Sequence, residues 1–482
     1  MRSRNRLIPA LVGALALALV TPALSLVAPT PPLPEAAAAT DTYKVTPALT
    51  FNDPTGSKAK HRKIIDKVED AIDHAPRGSR IRMAQYLFDL DSTADALVRA
   101  YARGVNVQLL IDDYPISPQT QRMRKTLGTN KKAKSYAARC VNSCMSSSTS
   151  VMHAKFFLFS QSGQSKNVSM VSSANPYTGN SGVSWNNMHT IVGDTKLYAS
   201  LDRYFTDMLP DRDQPNYYRT TTSGKHKLYF FPRKAQKGTA DIPMLDVLNN
   251  VRCTGMSKSY GSGGRTVVRI EQWGWSAARL DIARRVWQLH DQGCKVSVII
   301  NGFQIGPKVL QVLLKPSKRS GQMTVYNAGI DTNGNGVRDK YMHHKVVMIN
   351  GRWFSQSKKV VYTGSANFSG TATLANNEII MRVLDNKTYD AYYSNFNYIR
   401  NNWTKRITKA PPVPVTTSAK VAAARVESKL ETQLAAAPDV VNPAQAPVDP
   451  AQERSELAPT EPLPTEPATK AEPQPVGPDG SR

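Results

Sequence analysis

Apolar and polar positions recur in the same order twice along this chain. In the first copy, RIRMAQYLF at residues 80–88 has the length and the apolar content of a strand. STADALVRAYARG follows with apolar positions at helical spacing, and then VNVQLLIDD, a second strand-length run. In the second copy the order is VVRIEQWGW, a helix-like RLDIARRVWQLHDQG, and CKVSVIING. Setting Gln85 and Tyr86 against Gln272 and Trp273 brings Gly104 close to register with Gly293. Both glycines close an amphipathic helix and precede an apolar strand, the place of a helix C-cap. A further helix-like run stands before each copy, at 58–74 and at 242–251.

Strands alternating with helices in this order predict parallel βαβ units with helices packed on the sheet. The chain has 482 residues, more than one simple core accommodates. The prediction is an α/β protein of two homologous halves, 41–225 and 226–410, each a mixed, mainly parallel sheet flanked by helices. The ends differ in kind. Arg2, Arg4 and Arg6 precede an apolar run at 7–27, and the small residues 36–39 offer a cleavage site. This predicts a signal peptide over 1–40, with a single membrane anchor as the rival; Pro22 and the Pro-rich segment after it favour removal. No later segment is apolar enough to cross a bilayer, so the expected product is soluble and exported. Residues 411–482 are rich in Pro, Ala and Glu and contain no aromatic residue, a composition that predicts a disordered tail.

The repeat carries chemistry. MHAKFF at 152–157 is followed by VSSANP, and MHHKVV at 342–347 by TGSANFSG. On a strand, residues two apart share a face, so His153 pairs with Lys155 and His343 with Lys345. The downstream segments add Ser173 with Asn175 and Ser365 with Asn367. A neutral imidazole, a cation, a hydroxyl and an amide, all doubled, make a cradle for a tetrahedral oxyanion. A pseudo-two-fold arrangement of the halves brings both sets to one interface. His344 points to the opposite side of its strand and reads as structural. His61, His74 and His290 lie on helix-like stretches and read as packing or surface residues.

Charge and cysteines narrow the setting. The net charge is +25, and the tail holds ten acidic against six basic residues, so the rest is more basic than the whole. Such a field attracts phospholipid surfaces, nucleic acid or acidic cell-wall polymers. Cys140, Cys144, Cys253 and Cys294 suit an oxidising destination. They permit three pairings, of which 140–144 with 253–294 is the least demanding. A zinc site is the alternative, but no His or Cys stands near either pair at ligand spacing. The loop 331–339, DTNGNGVRD, begins like a calcium loop. Met342 stands at the position of the usual Glu and no flanking helices are evident, so a polar turn fits better.

The doubled His-x-Lys with its downstream Ser-Ala-Asn resembles the HKD signature of the phospholipase D superfamily, and ALVRAYARGVNVQLLIDD resembles the segment preceding that signature. The resemblance covers residues 45–400 and extends to the exported bacterial members. The aspartate that the family carries after its Lys is absent: Ser160 and Asn350 stand there. The resemblance implies a bracing rather than chemical task for that aspartate. It further implies a monomer carrying both motifs, phosphodiester cleavage through a phosphohistidine, no metal or other cofactor, and glycerophospholipid substrates. Lys155 and Lys345 would bind phosphate oxygens, with Ser173, Asn175, Ser365 and Asn367 adding hydrogen bonds. A secreted nuclease of the same superfamily, or an inactive polyanion-binding protein, are the rival functions.

The matching of NNEIIMRV with NNMHTIVG sets Glu378 against Met188 and places Glu378 behind His343. A carboxylate there favours His343 as the cationic acid and leaves His153, with His189 as a candidate orienting group, as the neutral nucleophile. Trp185, Trp273 and Trp275 lie near segments expected at the pocket rim, where they could meet lipid or nucleobases, or pack a core.

Overall fold

The structure, a computed structural model, describes residues 41–112, 116–146, 150–233, 244–335 and 338–411. The predicted signal peptide and, beyond residue 411, the predicted tail lie outside the described residues.

The first half runs β1 (Ala48–Phe51), α1 (Lys58–Asp73), β2 (Arg80–Gln85), α2 (Asp91–Ala102), β3 (Asn106–Asp112), α3 (Pro118–Leu127) and β4 (Tyr136–Cys140). It continues through β5 (Phe156–Ser162), β6 (Ser165–Ser172), α4 (Thr178–Ser181), β7 (Ser184–Trp185), β8 (Asn187–Val192) and α5 (Thr195–Met208). A hairpin of β9 (Arg219–Ser223) and β10 (His226–Phe230) then leads to α6 (Met244–Asn249) and β11 (Val251–Arg252). The second half repeats the scheme with β12 (Val267–Gln272), α7 (Leu280–Asp291), β13 (Lys295–Ile300), α8 (Pro307–Leu314) and β14 (Thr324–Asn327). It closes with β15 (Gly329–Ile330), β16 (Lys340–Met342), β17 (Lys345–Trp353), β18 (Gln356–Gly364), α9 (Gly370–Leu374), β19 (Ile379–Val383), α10 (Asn386–Trp403) and β20 (Lys405–Ile407).

Seven strands form one sheet in the order β1-β8-β6-β5-β2-β3-β4, and ten form the second around β20-β14-β13-β12-β17-β18-β19-β10-β9. The predicted βαβ units appear as β2-β3-β4 and β12-β13-β14, which pair in parallel. Within the two large sheets parallel pairing is confined to these: the strands that follow each motif return at once as hairpins, β5-β6 and β17-β18, and pair antiparallel. The apolar runs after each motif do not alternate because both faces of those strands are covered. Phe157 and Phe159 of β5 join the core under α1 and α2, while Phe156 and Leu158 join the core under α5. Val347 and Ile349 of β17 likewise face one core, and Val346 and Met348 another. Gly104 and Gly293 have φ of 88° and 89°, the left-handed conformation that ends α2 and α7 as expected.

The boundary expected at 225 falls inside the β9-β10 hairpin, and both of its strands belong to the second sheet through β10-β19 pairing. Backbone pairing also joins the halves directly, since β7 of the first half runs parallel to β16 of the second. The disulfides are Cys140–Cys144 and Cys253–Cys294. Among the described residues no helix is long and apolar enough to cross a membrane.

Severing the chain at 225 therefore removes β9 from its sheet and β7 from its partner. Expressed alone, residues 41–225 and 226–411 should each lack a cooperative thermal transition by circular dichroism, and neither should turn over a phosphodiester. The 41–411 fragment should melt as one unit.

Candidate active site

The two motifs meet. His153 lies in an extended segment just before β5, and His343 occupies the same position before β17. Each is gripped by two consecutive residues of the opposite half. The backbone N–H of His153 donates to the carbonyl of Asn377 (3.0 Å), and its Nδ1 lies 2.9 and 3.0 Å from the two carboxylate oxygens of Glu378. The N–H of His343 donates to the carbonyl of Trp185 (3.0 Å), and its Nδ1 lies 2.8 Å from Oδ1 of Asn186.

The carboxylate of Glu378 can only accept, so Nδ1 of His153 carries the proton. The amide of Asn186 is oriented by its Nδ2, which donates to the carbonyl of Ser184, leaving Oδ1 to accept from His343. In both neutral rings Nε2 is then the nitrogen with the lone pair.

This corrects the expected pairing. Glu378 stands behind His153, not His343, and its first-half counterpart is Asn186, not Met188. Ser173 donates through Oγ to Asn186 Oδ1 (2.9 Å), and Ser365 Oγ donates to Glu378 Oε2. In each half the serine and the residue it supports are 13 positions apart. That constant spacing was present in the sequence. The repeated Asn-Asn pair, 186–187 and 376–377, masked it by suggesting a different register. His189 is not an orienting group for His153: its Nε2 lies 3.1 Å from the hydroxyl of Tyr392, on the far side of β8.

The serine hydroxyls are thus spent on the groups that hold the histidines. Asn175 is committed too, with Oδ1 accepting from the N–H of Leu87 and Nδ2 donating to Asn180 Oδ1. Asn367 differs, for its Oδ1 has no hydrogen-bond partner. In place of the family's aspartate, Ser160 Oγ accepts the N–H of Arg80 (2.8 Å) and Asn350 Oδ1 accepts the N–H of Gly261 (3.0 Å). Both still brace a neighbouring backbone with a polar acceptor.

Lys155 and Lys345 are buried, each with Nζ donating to the carbonyl of its own motif histidine. Tyr86 walls the first motif, its ring 5.2 Å from that of His153 and under Lys155. Trp273 stands at the matching place, 5.1 Å from the ring of His343. Of the three tryptophans, Trp273 alone joins the histidines in this way. Trp185 and Trp275 are buried within packing clusters.

Arg338 lies over the rings of Trp273, Tyr341 and Phe303. Sequence reasoning missed Tyr86, Asn186 and Arg338; the first two could have been found by following the repeat, whereas Arg338 sits in an unrepeated loop. His344 is buried beside Glu271, with Nδ1 3.1 Å from Oε2, on the far side of its strand as expected. In the 331–339 loop, Asp331 accepts from the N–H of Gly334 and Asp339 from that of Thr332, as in a hydrogen-bonded turn. Among the described residues no group of three or more His, Cys, Asp or Glu could hold a metal ion.

Burial sets the electrostatics. It pushes His153 down to about 4, against the upward pull of Glu378 and with the help of Lys155. It holds His343 well below the ordinary imidazole range, reinforced by Lys345, Lys155 and His153. Burial also lowers Lys155 to about 7, and it depresses Lys345 strongly, with Lys155 adding repulsion. Burial alone would raise Glu378, but His153, Lys155 and Ser365 outweigh it and keep it ionised. The site is a buried concentration of basic groups around Glu378, with Asp112 also acting on Lys155, and an anion entering it would favour their charged forms.

The fold and this site are those of a duplicated α/β protein whose two His–Lys motifs meet at one centre. The sequence profile described as "Cardiolipin synthase, PLD-like domain" matches residues 68–209 and 273–400, more than half of the chain. The chain belongs to this phospholipase D-like family. Among solved structures it resembles phosphatidylserine synthase from Haemophilus influenzae, with a TM-score of 0.52 and 13% identity over 80% of this chain and 94% of that one. It is also similar to polyphosphate kinase from Porphyromonas gingivalis, with a TM-score of 0.49 and 15% identity over 80% of this chain, which spans about half (53%) of that protein. Nuc from Salmonella typhimurium, a phospholipase D family member, matches 36% of this chain and 93% of its own at 16% identity, with a TM-score of 0.25. No curated protein matches the sequence significantly.

The crossed grip makes a direct prediction. Asn186→Asp would put a carboxylate behind His343 and raise its pKa, so the imidazole titration of His343 followed by NMR should move to higher pH. Glu378→Gln should leave that titration nearly in place and move that of His153 downward. The reverse pattern would show that Glu378 serves His343.

Proposed function

We propose that this protein is an exported phosphodiesterase that cleaves glycerophospholipids at the head-group phosphate and transfers the phosphatidyl group to water or an alcohol. The observation that carries the reading is the meeting of two His–Lys pairs from opposite halves, with the first ring backed by Glu378 and the second by Asn186. The description of the matched family, a synthase of a phospholipid, supports lipid over nucleic acid. The basic net charge of +25 would suit either substrate. The basic n-region and apolar run before residue 40 support export.

In the proposed reaction Nε2 of His153 attacks phosphorus, and the bond from phosphorus to the head-group oxygen breaks. The leaving oxygen takes a proton from Nε2 of His343. The phosphorylated ring of His153 is cationic while Nδ1 keeps its proton, and Glu378 offsets that charge. The nucleophile is therefore assigned to His153, the ring with the carboxylate. The anionic phosphate, held by Lys155 and Lys345, raises the pKa of His343 toward the value an acid needs. His343, now neutral, then accepts the proton of the incoming water or alcohol as that oxygen bonds to phosphorus and the P–N bond breaks. Asn367, whose Oδ1 is unpartnered, would bind the incoming hydroxyl.

Phosphatidylcholine and phosphatidylglycerol vesicles, and separately plasmid DNA, should be incubated with the protein in EDTA. Release of choline or glycerol with intact plasmid is the expected result. Nicked plasmid without head-group release would make the protein a nuclease, and neither product would make it a polyanion-binding protein.

His153→Ala should abolish any acid-labile phospho-enzyme detected by mass spectrometry. His343→Ala should slow cleavage of alkyl esters by about a hundredfold or more, and should slow a p-nitrophenyl ester much less, because that leaving group departs without a proton. Phosphate on the His343 peptide alone would reverse the roles.

The pH profile follows from the same groups. The nucleophile works neutral, so kcat/KM should fall as pH drops through about 4, where His153 gains its proton. Glu378 favours the protonated ring, so Glu378→Gln should move that limb to lower pH while reducing the rate. Lys155 loses its charge above about 7, so phosphate binding by the free enzyme should weaken on the alkaline side.

A further inference from the structure

The two halves can be compared with each other on the sheet face covered by α5 in the first half and α10 in the second. Both helices start at an aspartate cap, Asp194 and Asp385. The strands correspond as well: Arg82 pairs in register with Gln108, and Arg269 with Ser297.

In the first half this face is neutralised and filled. Arg82 and Arg80 both reach Asp202 on α5, at 3.0 and 2.7 Å, and Arg82 Nε donates to Gln108 Oε1. In the second half the arginine is kept and its partners are gone. Counting from the caps, Tyr393 stands where Asp202 stands, and the guanidinium of Arg269 lies 4.1 Å from the centre of its ring. Ser297 replaces Gln108, and its hydroxyl is buried without a hydrogen-bond partner.

What replaces the ion pair is a cleft of about 500 Å³. Its lining includes Arg265, Arg269, Lys295 and Arg400 and no carboxylate. Among the described residues none of these four makes an ion pair. Arg269 is held in place by the hydroxyl of Tyr389 (3.0 Å), and Lys295 by Ser262 (3.1 Å). Holding like charges together without counter-ions is unfavourable, and a bound anion would relieve it.

We propose that this cleft, whose lining includes none of the residues of the histidine centre, binds a phosphate ligand of head-group size carrying at least two negative charges. Guanidinium forks match the oxygens of a tetrahedral phosphate. Hydroxyls from Ser262, Ser297 and Thr324 line the same space. Four cations call for more than a single charge, and the volume suits a small molecule or an exposed lipid head group.

The test uses the full chain, with pyrophosphate as the probe in isothermal titration calorimetry. Lys155→Met removes binding at the histidine centre, so the component that survives in this variant is assigned to the cleft. That component should weaken at least tenfold on adding Arg265→Ser with Lys295→Ser. It should weaken similarly on adding Tyr393→Asp, which restores the first half's acid at a ring 37% exposed. Without Lys155→Met, the cleft variants should keep the wild-type melting temperature and bis(p-nitrophenyl) phosphate turnover. Co-sedimentation with phosphatidic acid vesicles, whose head group is a phosphate monoester, separates two sources of the ligand. Parallel loss of vesicle binding identifies a lipid head group, and loss of pyrophosphate binding alone identifies a soluble phosphate. Absence of pyrophosphate binding in Lys155→Met, or binding there that neither cleft variant changes, would overturn the proposal.

Discussion

Everything at the centre of this molecule depends on a crossed grip. Two consecutive residues of one half hold the motif histidine of the other, the first through its carbonyl and the second through its side chain. Asn377 and Glu378 do this for His153, and Trp185 and Asn186 for His343. Because main chain and ring are fixed together, each imidazole has one tautomer and one direction. The serines after each motif serve the grip by fixing Glu378 and Asn186. The arrangement also explains why the halves share strand pairing between β7 and β16: the backbone that holds His343 is the continuation of that short ladder.

The grip permits an electrostatic situation that would otherwise be untenable. Two lysines, two histidines and the carboxylates of Glu378 and Asp112 are buried together, and desolvation drives the basic groups toward neutrality. A site of this kind gains most from an anion. In the proposed reaction its reactivity is coupled to substrate, since the charge that would make His343 an acid arrives with the phosphate.

Duplication produced two similar frames, and divergence then acted on their charges. At the centre, a carboxylate remains in one half and an amide in the other, which breaks the symmetry between two otherwise matching rings. On the outer sheet face the first half closes Arg82 with Asp202, while the second exchanges that acid for Tyr393 and leaves the cleft basic. Each change exchanges one or two side chains on an unchanged backbone register.

The sequence by itself determined the repeat, the βαβ units, the helix-ending glycines and the doubled His–Lys phrase, because these follow from local periodicity and short spacings. It also contained the equal separation of each serine from the residue it supports, yet a coincidental Asn-Asn pair pulled the register aside. Tertiary structure alone decided which half supplies the partner of each histidine, since that depends on how the halves face each other. It likewise decided that β9 and β10 join the second sheet, that Ser173, Ser365 and Asn175 spend their polar groups internally, and that Arg338 reaches the wall of the site. These outcomes rest on contacts between residues far apart in the chain, where neither hydrophobic period nor motif spacing carries information.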